Sequence, residues 1–547
     1  MKKICYTIVI ILVSQMLFSQ QISKENKELI DSIYNEMCAG KGISKQKRPE
    51  LQIASESKVA AYYPESIKIK LDPSAFDICA KFGPRRNDAI AFVLSHELGH
   101  FEMNSFWSKD YNEYASLFED SLNVLQKQND ESIKRLMENE TQADIRAGII
   151  RYLGGFSTLG FTRSVMDTLY ASYSLPDKMK GYPLRDERIK IAEKNDHLIE
   201  EFIHIFETSN FAVLSEDFTE AIEGYEFLIK QGFESREIYN NLGFIYYLQA
   251  SQMFESSTLF NEKKLKFIYP IELDLESKAR GAGTKGGNDF DEKITKLLEK
   301  ASESFETAIN FDKKYSIAYL NLGCVASILG KYIQAEGYLA TAKELAKREK
   351  DRPTRDNADL VLALIQYIKE GGDKKMTSKI VNRLAKAGHE YAILNQKLIA
   401  GKEYKDLSLI KPTPNQKFKR ETIENLDLYN VSEIDATIFE NVTDFKLNRE
   451  PLSIYNFNNS VIYSYKVIVE KYSKIKLFHV TAENYTGSTQ LGIKIGSTES
   501  DLKNAYGEPS KIFPVAQGWV YHYPNLKLMM VMNQNKMVTK WMVYYVM

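Results

Sequence analysis

Residues 91–103, AFVLSHELGHFEM, place two histidines four positions apart, with a glutamate next to the first. On a helix, His96 and His100 share one face one turn apart, so both imidazoles can reach a single metal ion. Glu97 projects about 100° around the helix from His96, where it can contact a metal-activated water without binding the metal. The spacing predicts a zinc site with Glu97 as general base. The alternative is a buried core helix with two hydrogen-bonded histidines.

A second helical stretch, MENETQADIRAGIIRYLGG, contains the acidic residues that such a site needs. Glu140 and Asp144 are four apart and therefore share a helix face. Glu140 can complete a His2Glu ligand set for one Zn²⁺, and Asp144 can accept the outer N–H of a ligand histidine. Alone, this pair would be typical of a solvated helix face. Three small residues on the same stretch permit close helix packing: Ala143, Ala147 and Gly148.

The combination of HELGH with E-x-x-A-D at residues 140–144 resembles metallopeptidase family forty-eight, the gluzincins that include HtpX and the CAAX prenyl proteases. KVAAYYPESIKIKLDPSAF before the motif and YPLRDERI after it extend the resemblance over roughly residues 55–195. The family has a histidine where this chain has Tyr182. The resemblance implies a zinc endopeptidase with a zincin-like fold. It makes Tyr182 and Arg188 candidates for oxyanion stabilisation or regulation.

The sequence around the motif predicts how the helix begins and where a substrate would lie. Asn87 or Asp88 is expected to cap the helix. A stretch from about Ser66 to Leu71 is expected to be an edge strand that holds an extended substrate by backbone pairing. Zinc would then polarise the peptide carbonyl and its water while Glu97 takes the water proton.

Length and composition favour a folded, multidomain protein. The chain has 547 residues, more than one core usually holds, and 44% of them are apolar. Its 72 Lys and Arg residues balance 73 Asp and Glu residues, which gives no reason to expect nucleic acid as a partner. We predict an α+β zincin-like metallopeptidase domain at residues 21–198, an all-α repeat domain at 199–405 and a small α+β or β-rich domain at 421–547.

The N-terminal residues have the pattern of a secretory signal peptide. MKKICYTIVIILVSQMLFSQQ begins with basic residues, continues with an apolar stretch and reaches a small residue at Ser19. We predict a signal peptide at residues 1–20, with an uncleaved anchor as the alternative. The mature chain would have no membrane span and would be periplasmic or secreted, with association with the cell envelope as an option.

Cysteine is too scarce to form a disulfide framework. After the signal peptide, only Cys38, Cys79 and Cys324 remain. A Cys38–Cys79 bridge is compatible with an oxidising compartment. Three unpaired, buried thiols are the alternative.

The middle of the chain contains a helical internal repeat. IYNNLGFIYYLQA and AYLNLGCVASILG share the spacing of the first helix of a tetratricopeptide repeat (TPR). The pattern resembles three TPR units over roughly residues 200–345, with an insertion near 251–297 whose glycine-rich RGAGTKGGNDFDEK is expected to be a mobile loop. Generic helical hairpins are the alternative. Four small residues should let paired helices approach closely: Gly243, Ala301, Gly323 and Ala335.

The C-terminal part contains short stretches of alternating apolar residues. After a polar linker near 406–420, SVIYSYKVIVEKY and LKLMMVMNQNKMVTKWMVYYV are predicted strands. LGIKIGSTESDLKNAYGEPSK predicts a strand that ends at Gly496, a helix with a capping box from Thr498 to Asp501, and a helix end at Gly507. This pattern resembles one unit of the beta-lactamase-inhibitor-protein and outer-membrane-lipoprotein SmpA type of domain.

These features together predict an exported zinc metalloendopeptidase whose repeats recruit protein clients. The arrangement is similar to that of the BepA-type periplasmic chaperone-proteases, a likeness that does not fix a substrate. Tyrosines near the repeats could present an aromatic surface to clients, or pack in the core: Tyr239, Tyr246 and Tyr319. The alternative is a non-catalytic TPR scaffold or chaperone with a weakly active or latent zinc domain. The intact Glu97 favours the enzyme.

Overall fold

The structure is a computed structural model, and it describes most of the chain after its N-terminal residues. The described ranges are 22–43, 45–55, 59–105, 131–179, 183–254, 267–275, 290–402, 421–426, 441–446, 451–457, 460–469, 472–482 and 484–546. The predicted signal peptide, the predicted linker near 406–420, Tyr182 and most of the glycine-rich stretch lie outside these ranges.

The chain divides into two compact units, which confirms that it is multidomain. The first unit contains the described residues up to Ile203 together with Gln231–Ser235. The second contains the remaining described residues from His204 onward, so the helical region and the C-terminal sheet belong to one unit.

The first unit combines a small sheet with several helices. Its elements, in order, are α1 (Lys24–Gly40), β1 (Glu50–Ile53), β2 (Ala60–Tyr63), β3 (Lys68–Leu71), α2 (Pro73–Ala80), α3 (Arg86–Ser105), α4 (Glu131–Leu153), α5 (Thr162–Ser172) and α6 (Arg185–Leu214), whose last turns fall in the second unit. Buried apolar residues from α1, β3, α2, α3 and α4 form one core.

Strand β3 lies in the middle of the three-stranded sheet, parallel to β1 and antiparallel to β2. Its side chains alternate, and Ile69 and Leu71 are buried in the core. The prediction that Ser66 to Leu71 forms an edge strand is therefore wrong, because β3 is paired on both sides. The edge strand that packs against α3 is β2.

Helix α3 contains the HELGH motif and begins earlier than predicted. It starts at Arg86, directly after the 3-10 turn Gly83–Arg85. Asn87 and Asp88 therefore lie in its first turn, and the prediction that either caps the helix is wrong. The Asp88 carboxylate instead accepts a 3.0 Å hydrogen bond from the backbone N–H of Ser157.

The region that was predicted to be helical consists of successive helices, each packed against the next. After α6 they are α7 (Phe218–Lys230), α8 (Arg236–Ser251), α9 (Phe290–Phe311), α10 (Ser316–Ile328), α11 (Tyr332–Glu349), α12 (Arg352–Ile368), α13 (Lys374–Lys386) and α14 (Glu390–Ile399). The helical region thus continues well past residue 345, where the repeat pattern in the sequence ended.

Two glycines allow the close helix contacts that the sequence predicted. A Cβ atom on Gly243 would lie 2.7 Å from the ring of Phe305, and one on Gly323 would lie 2.6 Å from the side chain of Leu339. No side chain fits at either position without a shift of its neighbour. Ala301 and Ala335 are fully buried, as expected for small residues between packed helices.

The alternating pattern predicted strands in the C-terminal region, and the described residues there form an eight-stranded antiparallel sheet. Its strands are β4 (Asn441–Lys446), β5 (Pro451–Phe457), β6 (Ser460–Val469), β7 (Tyr472–Thr481), β8 (Lys511–Val515), β9 (Gly518–Tyr523), β10 (Leu528–Asn533) and β11 (Val538–Val546). Their order is β4-β5-β6-β7-β11-β10-β9-β8, so β4 and β8 are the edges.

One short helix, α15 (Glu499–Tyr506), precedes β8 and confirms the predicted capping box. The Thr498 side chain accepts from the Asp501 N–H, and the Asp501 carboxylate accepts from the Thr498 N–H. Gly507 follows the helix with a φ of 78°, a conformation that favours glycine. The strand predicted to end at Gly496 is not formed, since the residues before Gly496 form irregular structure and turns.

Cys38, Cys79 and Cys324 are all free and buried, which agrees with the alternative of three unpaired thiols. Burial raises the pKa of Cys38 to about 11 and that of Cys79 to about 12. Among the helices of the described ranges, none is long and apolar enough to cross a membrane.

Candidate metal centre

Helices α3 and α4 bring the candidate metal ligands together because they pack at very short range. A Cβ atom on Gly99 would lie 2.5 Å from the carbonyl oxygen of Ala143. Glycine on α3 therefore allows the backbones of the two helices to touch. Gly148, which the sequence also suggested for close packing, makes only an ordinary contact, since its Cβ atom would lie 3.6 Å from Ile199.

Three side chains converge where the helices meet. The ligand atoms of His96, His100 and Glu140 all lie within 4.8 Å of one another. The two Nε2 atoms are 3.2 Å apart, and the Glu140 carboxylate lies 3.2 Å from Nε2 of His96 and 3.4 Å from Nε2 of His100. Both imidazoles thus turn the same nitrogen towards one carboxylate. This is the grouping that the sequence predicted.

Asp144 holds the opposite side of the His96 ring. Its Oδ1 lies 2.7 Å from Nδ1 of His96, which leaves Nε2 directed towards the centre. The guanidinium of Arg188 donates to both Asp144 oxygens, from Nε at 3.2 Å and from NH2 at 3.4 Å. Arg188 also lies 3.8 Å from Glu140 and so connects the two acidic side chains.

The charges of the centre stabilise each other's ionised forms. Burial by itself lowers the pKa of His96, but the carboxylates of Asp144 and Glu140 raise it to about 10. Burial raises the pKa of Asp144, but Arg188 and His96 outweigh it and hold the pKa at about 2. The pKa of Glu140 is likewise held well below its usual range by the two histidines, against the effect of burial. A positive charge beside the carboxylates of Glu140 and Asp144 is therefore strongly favoured.

The arrangement fits a divalent metal ion such as zinc. Glu140 Oε2 is buried and lies 3.2 Å from Nε2 of His96, but no group among the described residues donates a hydrogen bond to it. A buried acceptor without a donor is costly, and a cation would satisfy it. Two imidazole nitrogens and one carboxylate oxygen are also the donor set of catalytic zinc sites. His96, His100 and Glu140 are the residues that would hold the ion.

Glu97 is positioned by the edge strand β2. It is 8% exposed, and its Oε2 accepts a 2.7 Å hydrogen bond from the backbone N–H of Tyr62. The ring of Tyr62 packs edge-on against Phe101, one turn further along α3, at 5.9 Å. Strand and helix are thus tied together at the residue that would act as base.

The structure brings together six residues at this point. All six were named from the sequence: His96, Glu97, His100, Glu140, Asp144 and, through the resemblance, Arg188, which contacts Asp144. Tyr182 lies outside the described residues. The roles of Tyr62 and Gly99 were not predicted from the sequence, although a glycine inside a helix that packs on an alanine-containing helix could have suggested a close approach.

Two comparisons with known proteins found no relative. No protein-family model matches the chain, and no curated protein is significantly similar to it. The resemblance to metallopeptidase family forty-eight therefore stays a prediction from short motifs, and any function has to be argued from the geometry of the centre.

Proposed function

We propose that this protein is a zinc-dependent endopeptidase. The observation that carries the proposal is the convergence of His96, His100 and Glu140 within 4.8 Å, with a buried Glu140 oxygen that lacks a hydrogen-bond partner among the described residues. A core helix with hydrogen-bonded histidines would not require three potential ligands to face one point. The resemblance of HELGH and E-x-x-A-D to the gluzincins, with their zincin-like fold, supports the same assignment.

A zinc ion held by these three side chains would supply Lewis acidity for a peptide carbonyl and lower the pKa of water. Glu97 is the proton carrier in our proposal. It takes a proton from water as the water oxygen attacks the carbonyl carbon. It then delivers that proton to the nitrogen of the leaving amine as the C–N bond breaks. The Tyr62 N–H on Oε2 fixes the carboxylate, and we assign the proton transfer to Oε1.

Asp144 and Arg188 act as positioning residues in this proposal. Asp144 fixes the His96 ring through Nδ1, and Arg188 fixes Asp144 through two hydrogen bonds. The side chains of Asp144 and Arg188 are only 8% and 14% exposed, so their contacts are shielded from water. We therefore assign Arg188 to orientation of the ligands. An oxyanion role for Arg188 is the less favoured option, and an oxyanion or regulatory role for Tyr182 rests on the resemblance alone.

We further propose that the helical region, as a TPR-type repeat, recruits protein clients, and that the chain works after export to the periplasm or the cell exterior. The repeat spacing and the signal-peptide pattern support these two points. The alternative is a scaffold or chaperone whose zinc domain is latent. The buried, hydrogen-bonded Glu97 favours the enzyme, since a scaffold does not require a base at this position.

Metal analysis and a protease assay on the purified chain test the proposal. The preparation should contain one zinc per chain and digest casein. Removal of zinc by a chelator should abolish digestion, and added zinc should restore it. A protein that binds zinc but digests neither casein nor unfolded peptides would favour the scaffold. A protein that binds no zinc would exclude the peptidase and the latent zinc domain, but not client binding by the repeats.

A further inference from the structure

Residues 267–275, FIYPIELDL, run through the helical region as a buried segment, although the sequence places them in the predicted insertion. Four alternate side chains of this segment are at most 5% exposed: Phe267, Tyr269, Ile271 and Leu273. The Phe267 ring packs edge-on against Tyr367 of α12 at 5.4 Å, and the Tyr269 hydroxyl lies 3.3 Å from Ser327 Oγ of α10. The segment is therefore bound by the helices and is not a surface loop.

Asparagines at one repeated position face this segment. Asparagine is the sixth residue of α8, α10, α12 and α14 alike. We call these four residues the asparagine row: Asn241, Asn321, Asn357 and Asn395. Each is at most 6% exposed. A buried amide side chain is costly unless both its oxygen and its nitrogen are hydrogen-bonded.

Three members of the row bind the segment backbone by paired hydrogen bonds. Asn395 accepts from the N–H of Ile268 at 2.9 Å and donates to its carbonyl at 2.8 Å. Asn321 makes the same pair with Glu272, at 2.9 and 2.8 Å. Asn241 makes it with Asp274, at 2.9 and 2.6 Å. Each asparagine thus contacts the segment as a neighbouring β-strand would.

The fourth member of the row, Asn357, does not make the paired contact with the segment backbone. The paired residues 268, 272 and 274 follow the two-residue period of an extended chain, and the position that completes the series is Pro270. Proline has no N–H to offer, so the paired contact cannot form there. Asn357 instead donates to the Glu272 carboxyl at 2.5 Å, and Thr354 donates to the same carboxyl at 3.5 Å.

The other edge of the segment pairs with the edge strand of the C-terminal sheet. The backbone N–H of Ala516 donates to the Leu273 carbonyl at 2.9 Å, and a parallel bridge joins Leu273 to Val515 of β8. The carboxylate of Asp274 accepts from the Tyr315 hydroxyl at 2.7 Å and from the Gln517 side chain at 2.8 Å. The site thus recognises the backbone on both edges and acidic side chains at two alternate positions.

We propose that the asparagine row is a binding site for extended peptides in which acidic residues alternate with apolar ones, and that the chain's own segment 267–275 is its resident ligand. Contacts with the backbone do not depend on the identity of the side chains, so a client peptide of this pattern can make the same hydrogen bonds. It can bind only when the resident segment leaves. Free clients thus compete with a tethered ligand of high effective concentration.

This inference deepens the client-recruiting role of the helical region and rests on that proposed role. It does not involve the metal centre. Binding is measured without hydrolysis, so a failure at the asparagine row leaves the peptidase proposal standing. Conversely, a chain without peptidase activity can still bind peptides here.

The test uses the full chain with Glu97→Gln, so that peptides are not cut, and a fluorescent FIYPIELDL peptide. Ile268→Pro combined with Asp274→Pro removes the two backbone N–H groups that donate hydrogen bonds to Asn395 and Asn241. This double change should release the resident segment. We expect this variant to bind the labelled peptide at least ~10-fold more tightly than the parent chain, because the tethered competitor is weakened.

Two controls show whether binding occurs at the row. Asn321→Ala, added to the released variant, should abolish the gain, whereas Asn310→Ala, at an exposed asparagine of α9, should not. A labelled peptide with proline in place of the residues that correspond to Ile268 and Asp274 should not bind. If the released variant binds no more tightly than the parent, or the proline peptide binds equally well, the resident-ligand proposal is wrong.

Hydrogen exchange on the full chain without substitutions in the segment gives an independent answer if the proline variant fails to fold. A resident ligand leaves by local opening, so the amides of Ile268, Glu272 and Asp274 should exchange faster than those of α10. Their exchange rates should also change little at low denaturant concentration, because local opening exposes little surface. If these amides exchange only with the global unfolding that exposes α10, the segment is a permanent part of the core and the proposal fails.

Discussion

The backbone N–H of Tyr62 donates a 2.7 Å hydrogen bond to Oε2 of Glu97, so the edge strand of the small sheet holds the residue that we propose as general base. A substrate that pairs with the outer edge of β2 would lie beside this carboxylate. Strand β3, where the sequence predicted the substrate-binding edge, is paired on both sides and cannot serve.

Replacement of Glu97 by glutamine should separate binding from catalysis. The glutamine oxygen can still accept the Tyr62 N–H, so the fold should persist, but the amide cannot take a proton from water. We expect zinc content to stay the same and casein hydrolysis to fall at least ~100-fold. Zinc analysis and initial rates on the same preparations check this. Equal rates for both proteins would show that Glu97 of α3 is not the general base of a peptidase.

The ligand Glu140 and the positioning residue Asp144 should differ in their effects on zinc affinity. Glu140→Ala removes a proposed zinc ligand and should lower the zinc affinity more. Asp144→Asn only weakens the hydrogen bond that positions His96, and this variant should bind zinc about 10- to 100-fold less tightly than the parent. Competition with a chelator ranks the variants. Glu138→Ala, two residues before Glu140 on the same helix, is the matched control and should bind as the parent does. Tight binding by Glu140→Ala would show that the third ligand is assigned wrongly.

The contact between Gly99 and Ala143 should control both stability and metal affinity. In Gly99→Ala the new methyl group would lie 2.5 Å from the Ala143 carbonyl oxygen, so α3 and α4 must separate and draw Glu140 away from the histidines. We expect a loss of about 1–3 kcal/mol in the free energy of unfolding and weaker zinc binding.

The matched control for that change is Gly148→Ala on α4. Its new methyl group would lie 3.6 Å from Ile199, an ordinary contact, and alanine favours helix over glycine. Thermal unfolding should therefore show Gly148→Ala at or above the stability of the parent chain. If Gly99→Ala is as stable as Gly148→Ala, the two helices are less tightly fixed than the geometry indicates.

The stability of the second unit should fall as pH rises through the neutral range. Burial, with added repulsion from Asp351 and Asp274, raises the pKa of Glu272 to about 8, and the Cys324 thiol also faces it. A carboxyl whose folded pKa is raised binds a proton more tightly in the folded state. Its contribution is complete below the unfolded pKa of 4.5 and is lost as pH approaches 8.

Glu272→Gln should remove this dependence, because an amide does not titrate. We expect the free energy of unfolding of the parent chain to drop by on the order of 2 kcal/mol more than that of the variant between pH 5 and pH 8. Denaturant unfolding at both pH values measures the difference. Parallel pH profiles for the two proteins would show that Glu272 is ionised in the folded state throughout.

The grouping of side chains in the candidate metal centre could be predicted from the sequence because each half of it is local. Residues four apart on a helix share a face, so His96 with His100 and Glu140 with Asp144 were recognisable as pairs. What joins the pairs is not local. The approach of α3 to α4 depends on Gly99, and the position of Glu97 depends on a backbone N–H from a strand 35 residues earlier in the chain.

The binding of the segment 267–275 was missed because it breaks the rule that insertions between repeats lie on the surface. FIYPIELDL is too short and too irregular to predict as a strand, and its hydrogen bonds come from residues scattered over more than one hundred positions. One signal was present. Asparagine precedes Leu-Gly in both repeats, at Asn241 and Asn321, and a polar residue repeated beside buried positions usually has a partner.

The segment 267–275 contacts the helices along one edge and β8 along the other. Its backbone hydrogen bonds therefore connect the helical region to the C-terminal sheet. Side-chain ion pairs such as Lys540 with Glu207 at 3.3 Å span the same boundary. The covalent link between them is therefore dispensable once the chain has folded. A chain nicked by a protease between Lys402 and Glu421 should elute as one particle and come apart only in denaturant, whereas the sheet made on its own should be unstable.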